Sequence, residues 1–419
     1  MNSIKLIIMM LACFALAGCN IVNQVRLRVA NNDLVPKWQD SQIKAELIAY
    51  YVGEKPYVEI SLNATKGFKF LVDTGASITI LFNSDKIKSL NLEQGYALPI
   101  AGWGDEEDSS AYQTKLENLM LGNAKFEDVI AAYIPINKTK YFSRPDELTF
   151  DGVLGHDILR HFSWTFDKKN NQISISRDAY QPSGNEVSIE FDRFFKKIDI
   201  EAKSDFGLDQ TFTQDFIIDT GSRHYVKISN AFVENNEIKV PSGSVTAVDF
   251  GMSGRTVHQR ITLPSIKLGK LKLSNIKTNI IAGDLDDDFA IVGSALLNQF
   301  VSVIDYHSDK LHLTPYPDKK FKTRYNLLGL ELRKITSGEF VVRYVFPDVS
   351  ASKYDLVEGD IITKIDDKLA SDISQDDWLD ITATPGSYKI CRMRVQEKCQ
   401  AIISKHITGY STNVGLKAK

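Results

Sequence analysis

Two stretches of the chain carry the same unusual polarity pattern. Residues 68–82, FKFLVDTGASITILF, form an apolar run that stops on Asp73-Thr74-Gly75 and resumes at once. Residues 215–228, DFIIDTGSRHYVKI, do the same around Asp219-Thr220-Gly221. β-Branched and aromatic residues dominate both, so each predicts two buried strands joined by a tight loop that carries a carboxylate. The parallel continues downstream. FDGVLGHDILRHFSWTFDKKNNQISIS at 150–176 aligns at constant offset with DFAIVGSALLNQFVSVIDYHSDKLHLT at 288–314, matching Gly155 with Gly293, Leu159 with Leu297, Phe162 with Phe300 and Asp167 with Asp305. Both segments close with alternating strands around a polar turn, a hairpin signal. Between loop and glycine each copy also holds a Gly-interrupted segment, PIAGWGDEED at 99–108 and DFGMSGRTVH at 249–258. The chain therefore reads as two copies of one strand-rich unit, roughly 46–178 and 185–318.

Composition changes this picture little. Of 419 residues, 43% are apolar and 25% charged, which suits a soluble protein of several domains. The formal net charge of −3 gives no footprint for nucleic acid. The N-terminus adds more. MNSIKLIIMMLACFALAGCN has a Lys near its start, an apolar stretch and small residues leading into Cys19, the layout of a secretory signal peptide over 1–18. Leu16-Ala17-Gly18-Cys19 resembles the bacterial lipobox, which implies lipidation of Cys19 and a membrane partner. Residues 19–45 then read as an N-terminal tether. Asn20 after the cysteine implies the outer membrane, facing the periplasm, in a Gram-negative host. With Cys13 in the leader, Cys391 and Cys399 remain, on neighbouring predicted strands. An export compartment permits a disulfide between them, and two half-buried thiols fit as well.

Apolar-Asp-Thr-Gly-small, followed by apolar-apolar-Gly, resembles the aspartic peptidase clan of pepsins and retropepsins. Here LVDTGA pairs with VLG at 153–155, and IIDTGS with IVG at 291–293. The resemblance implies a mainly β fold, with two retropepsin-like acid-protease β-barrel lobes in one chain. It implies that Asp73 and Asp219 share one water as a catalytic dyad, with Thr74 and Thr220 locking the two loops together and Gly75 and Gly221 permitting close approach. Two carboxylates one water apart cannot both ionise, so one proton is shared, one member acts as general base and the other as acid. No cofactor or metal is required, and the substrate is a peptide or protein. A serine at 222, where the first copy has Ala76, is expected to hydrogen-bond Asp219 and leave Asp73 as proton carrier. Gly102, Trp103 and Gly104 are flap candidates.

After the linker TPYPDKK at 314–320, residues 325–405 resemble a PDZ domain, a small α+β unit, through Leu328-Gly329-Leu330, a following strand and LVEGDIITKIDD. That resemblance implies that the backbone of Leu328, Gly329 and Leu330 receives a peptide C-terminus. His156 and His161 are badly spaced for one metal ion. Asp284, Asp286, Asp287 and Asp288 lack the Gly and Glu of an EF-hand loop and read as a solvated turn. The expectation is a lipid-anchored, two-lobed aspartic endopeptidase of the bacterial envelope. The competing reading is a catalytically silent, peptide-binding envelope lipoprotein.

Overall fold

The structure, a computed structural model, describes residues 21–100, 109–135, 149–240, 244–251, 254–282, 288–347 and 349–407. The first sequence copy builds a nine-stranded sheet from strands between Lys37 and Leu154, and the second an eight-stranded sheet between Asp192 and Gly293. The alternation read in the sequence is the reason. Lys197–Gly207 turns every second side chain into the core, and a strand with one covered face needs that period. Gly152–Leu154 and Ala290–Gly293 are buried at every position instead. Each lies inside its sheet, parallel to the strand that leads into an Asp-Thr-Gly loop and antiparallel to the strand that follows it.

The two sequence copies do not end as two separate structural units. Hairpin Ser163–Asp167/Gln172–Ser176 and hairpin Phe300–Asp305/Lys310–Pro315 pair edge to edge, with Trp164 opposite Ile304. Together with Lys44–Leu47 and Val187–Glu190 they make one six-stranded sheet under both lobes. Each hairpin alone would leave a strand edge unpaired, and joining them satisfies both. One large apolar cluster accordingly runs through both copies, from Val58 and Phe70 to Phe216 and Leu313.

The N-terminal stretch is built into the fold and is not a loose tether. Residues 21–29 are helical, Lys37–Trp38 pairs with Ala124–Lys125, and Lys44–Leu47 joins the shared sheet. The C-terminal part forms a six-stranded sheet over Leu330–Ser404 with its own apolar cluster. Its helix, Gln375–Ala383, starts on a Ser374–Asp377 capping box. Cys391 and Cys399 face each other across the last hairpin and are joined as a disulfide. This unit sits against the lobes. Val245 and Ala247 pack on Leu327, Phe346 and Val349, and Arg223 pairs with Glu331 at 2.5 Å. Lys168 meets Asp376 at 2.6 Å, and Arg324 meets both Asp380 and Glu54.

Candidate active site

Two loops that are far apart in sequence meet head to head. Thr74 Oγ1 donates to the carbonyl of Ile218 at 2.6 Å and receives the Thr220 amide at 3.1 Å. The mirror pair is present at the same lengths, with Thr220 Oγ1 donating to Val72 O and the Thr74 amide donating to Thr220 Oγ1. Both threonines are buried. Four reciprocal bonds in a dry setting fix the two loops against each other, because leaving any of these groups unpaired there would be costly.

The glycines then allow the carboxylates to close on one another. A Cβ on Gly75 would stand 2.8 Å from the Asp219 carboxyl carbon, and one on Gly221 would meet the Asp73 carboxylate closer still. Each carboxylate thus lies under the other loop's glycine. The apolar-apolar-Gly strands hold the loops from behind: the Asp73 amide donates to Leu154 O, and Asp219 stands opposite Gly293.

The surroundings act on the Asp73 carboxyl. Burial, and then the negative charge of Asp219, push the Asp73 carboxyl up to about 7, against the pull of the Lys55 ammonium and the Gly75 amide. Asp73 Oδ1 accepts from the amides of Gly75 and Ala76 at 2.9 and 3.1 Å. Asp219 Oδ1 accepts from the Ser222 amide at 3.0 Å. The Ser222 hydroxyl is buried and, among the described residues, has no hydrogen-bond partner. The expected bond from that hydroxyl to Asp219 is therefore absent, since the tight turn aims the amide at the carboxylate, as it does at Ala76.

Several charged residues beside the dyad were not singled out in the sequence. Lys55 opens the strand Lys55–Leu62, and burial holds its ammonium pKa below the ordinary lysine value. His224 and Asp249 lie 2.8 Å apart and tie the second Asp-Thr-Gly loop to the strand Val245–Gly251. Lys227 also reaches Asp249. The proton on His224 can be placed. Arg260 Nε donates to Asn279 Oδ1 at 3.1 Å, which turns the Asn279 amino group toward His224 Nδ1 at 2.9 Å. The imidazole hydrogen is left on Nε2, facing Asp249. Burial keeps this histidine neutral, with its pKa lowered to about 3, while Asp249 is held well below the carboxylate range by His224, Lys227 and Arg223 despite its burial.

Of the other predicted site residues, Gly102, Trp103 and Gly104 lie outside the described residues, as do Cys19, Asp284, Asp286 and Asp287. Leu328 and Leu330 are buried in the C-terminal core. The Gly329 amide donates to Asn326 Oδ1 at 2.8 Å and so does not face an open site. His156 and His161 are kept neutral chiefly by burial, each at about 4. Among the described residues no group of His, Cys, Asp and Glu is placed to hold a metal ion.

No curated protein matches the chain. A family model described as aspartyl protease matches it twice, over residues 58–158 and 205–295. Each match takes in one Asp-Thr-Gly loop and its apolar-apolar-Gly strand, so both sequence copies are similar to that family, and the pair is consistent with a two-lobed aspartyl protease.

Proposed function

We propose that this protein is an aspartic-type endopeptidase that cleaves peptides or proteins in a bacterial cell envelope, anchored by a lipid on Cys19. The observation that carries the reading is the close approach of Asp73 and Asp219, each carboxylate seated against the other loop's glycine. A water held between them is activated by the ionised member. The protonated one, Asp73, donates to the scissile carbonyl oxygen and the leaving amine then collects a proton. Lobes that only gripped a polypeptide would have no use for a buried carboxylate whose proton is held to about pH 7.

The anchor is supported by the position of Cys19 next to the helix over 21–29, where Ile21, Val22, Val25 and Val29 are each about half exposed or more. An apolar stripe beside an acylated cysteine fits the face of a bilayer. The C-terminal unit, read as PDZ-like, would serve substrate or C-terminus recognition.

The test is turnover of one fluorogenic peptide by wild type, Asp73→Asn, Asp219→Asn and the double variant. Each single change should lower kcat by at least about a thousandfold, and the double should be scarcely worse, because the two groups act as a unit. Near-normal turnover by either folded single variant would remove the dyad. Mass spectrometry of the membrane-extracted protein checks the anchor: the mature N-terminus should be an acylated Cys19.

A further inference from the structure

The helix over 21–29 presents most of its apolar residues to solvent and sends one inward. Leu27 is only 2% exposed. It packs in the cluster that holds Ile78, Ile80, Leu98 and Val153, against which Ala76 also rests. Those residues adjoin the dyad. Ala76 donates its amide to Asp73, Ile78 lies two residues further along the same loop, and Val153 belongs to the strand behind it. Leu27 therefore seals an apolar cluster, which also holds Tyr57 and Phe82, at the side of the loop that carries Asp73.

A second set of contacts points the same way. Among the described residues, Ala97–Ile100 is an edge strand, paired only with the strand that begins at Ser109. A peptide lying extended along the cleft would add to such an edge by main-chain hydrogen bonds. Two outward carbonyls of that edge are taken: Asn23 Nδ2 donates to Ala97 O at 2.9 Å and Gln24 Nε2 donates to Pro99 O at 3.1 Å. Arg26 stacks on Tyr96 at 4.7 Å. Below, Asn31 bonds both ways with the backbone of Ile130 and donates to Asp157, which holds the helix in place.

We propose that residues 21–31 are a built-in competitor for the substrate. Leu27 occupies the place of an aliphatic substrate side chain, and Asn23 and Gln24 occupy the carbonyls that would receive the substrate backbone. A peptide with a leucine-like residue near its scissile bond binds only when this helix leaves. The inference rests on the peptidase reading, and the test separates the two.

The probe is a fluorescein-labelled, leucine-containing statine peptide, titrated by anisotropy into the full-length protein and two variants. Asn23→Ala/Gln24→Ala removes only the two hydrogen bonds to the edge strand, and Leu27→Asp expels the leucine, with near-ultraviolet circular dichroism reporting folding. Both variants should bind the probe at least tenfold more tightly than wild type, and synthetic peptide 21–32 added in trans should weaken that binding. Hydrogen exchange over 22–30 in wild type should speed up when the probe is saturating. Equal affinity in all three proteins, including no binding to any, overturns the proposal, as does unchanged protection of the helix under saturating probe. Failure of the peptidase reading shows elsewhere, as undiminished turnover in the Asp73→Asn and Asp219→Asn proteins.

Discussion

At the scale of single residues, the burial of Asp73 and its pairing with Asp219 make stability depend on pH through the Asp73 carboxyl. That carboxyl is raised to about 7 in the fold, from about 4 in an unfolded chain. The folded state therefore holds this proton more tightly than the unfolded one. Stability from this group is intact below about pH 4 and falls as pH rises toward 7, because folding must then either keep a proton or bury a charge. Asp73→Asn, which cannot ionise, should raise the melting temperature at pH 8 by about 2 °C or more. That gain should disappear below pH 4, and a melting temperature lower than wild type at pH 8 would contradict the assignment. Activity should decline through about pH 7 on the alkaline side, as the proton needed by the carbonyl oxygen is lost. Much of this site was legible. The two Asp-Thr-Gly triplets, their glycines and the trailing strands stand in the sequence with matching flanks. The role given to Ser222 was not legible, because which atom of a residue faces a carboxylate depends on the turn: the amide donates, and the hydroxyl has no partner among the described residues. Lys55 was equally hidden. It lies at the start of a strand, and nothing in its neighbourhood in sequence says that the strand begins beside the dyad.

At the scale of elements, period and punctuation carried the strands, and pairing had to come from the structure. The two copies were visible because the same alternation recurs around the same loops. Their final hairpins read alike, yet whether each closes its own lobe or joins the other's is decided by edges, and edges have no local signature. The ladder from Ser163↔Asp305 to Phe166↔Ser302 settles it, with Ser163 Oγ donating to Asp305 Oδ1 at 2.5 Å inside the shared sheet. The clamp between His224 and Asp249 was illegible for a related reason. His224 follows the second Asp-Thr-Gly loop and Asp249 sits in the strand entering the second Gly-interrupted hairpin, whose tip at 252–253 is outside the described residues. Their approach depends on how that hairpin folds over the loop. How the N-terminal helix packs could not be read from the sequence, because Leu27 alone turns inward while Ile21, Val22, Val25 and Val29, the residues of its apolar stripe, face out.

At the scale of the molecule, the C-terminal unit is fastened to the second lobe next to the Asp219 loop, and its own edge strand is closed. Leu330–Lys334 has one sheet neighbour, Phe340–Val345. On its open side, Asn326 Nδ2 donates to Leu330 O at 2.8 Å while its Oδ1 receives the Gly329 amide. Gln375 Nε2 donates to Leu332 O at 3.1 Å, and its Oε1 receives the Lys334 amide at 3.0 Å. Two side-chain amides thus stand in for a paired strand, where the PDZ resemblance implies an added peptide. Gln375 is in turn backed by the first lobe, since a Cβ on Gly53 would touch its side chain at 3.0 Å and the Gly53 amide donates to Asp376. A peptide can reach this edge only by displacing Asn326 or Gln375. Asn326→Ala frees one donor, the Gly329 amide, and one acceptor, Leu330 O. Two hydrogen bonds worth a net of about 1 kcal/mol each should tighten binding of a leucine-ending peptide about tenfold or more in the full-length protein. Anisotropy titration of the free-acid peptide into wild type and Asn326→Ala measures this directly. The amidated peptide is the control, because without a carboxylate it should lose most of the gain. If the variant binds the free acid no better than wild type does, or binds the amidated form equally well, then this edge serves to dock the unit on the lobes and does not receive a peptide C-terminus.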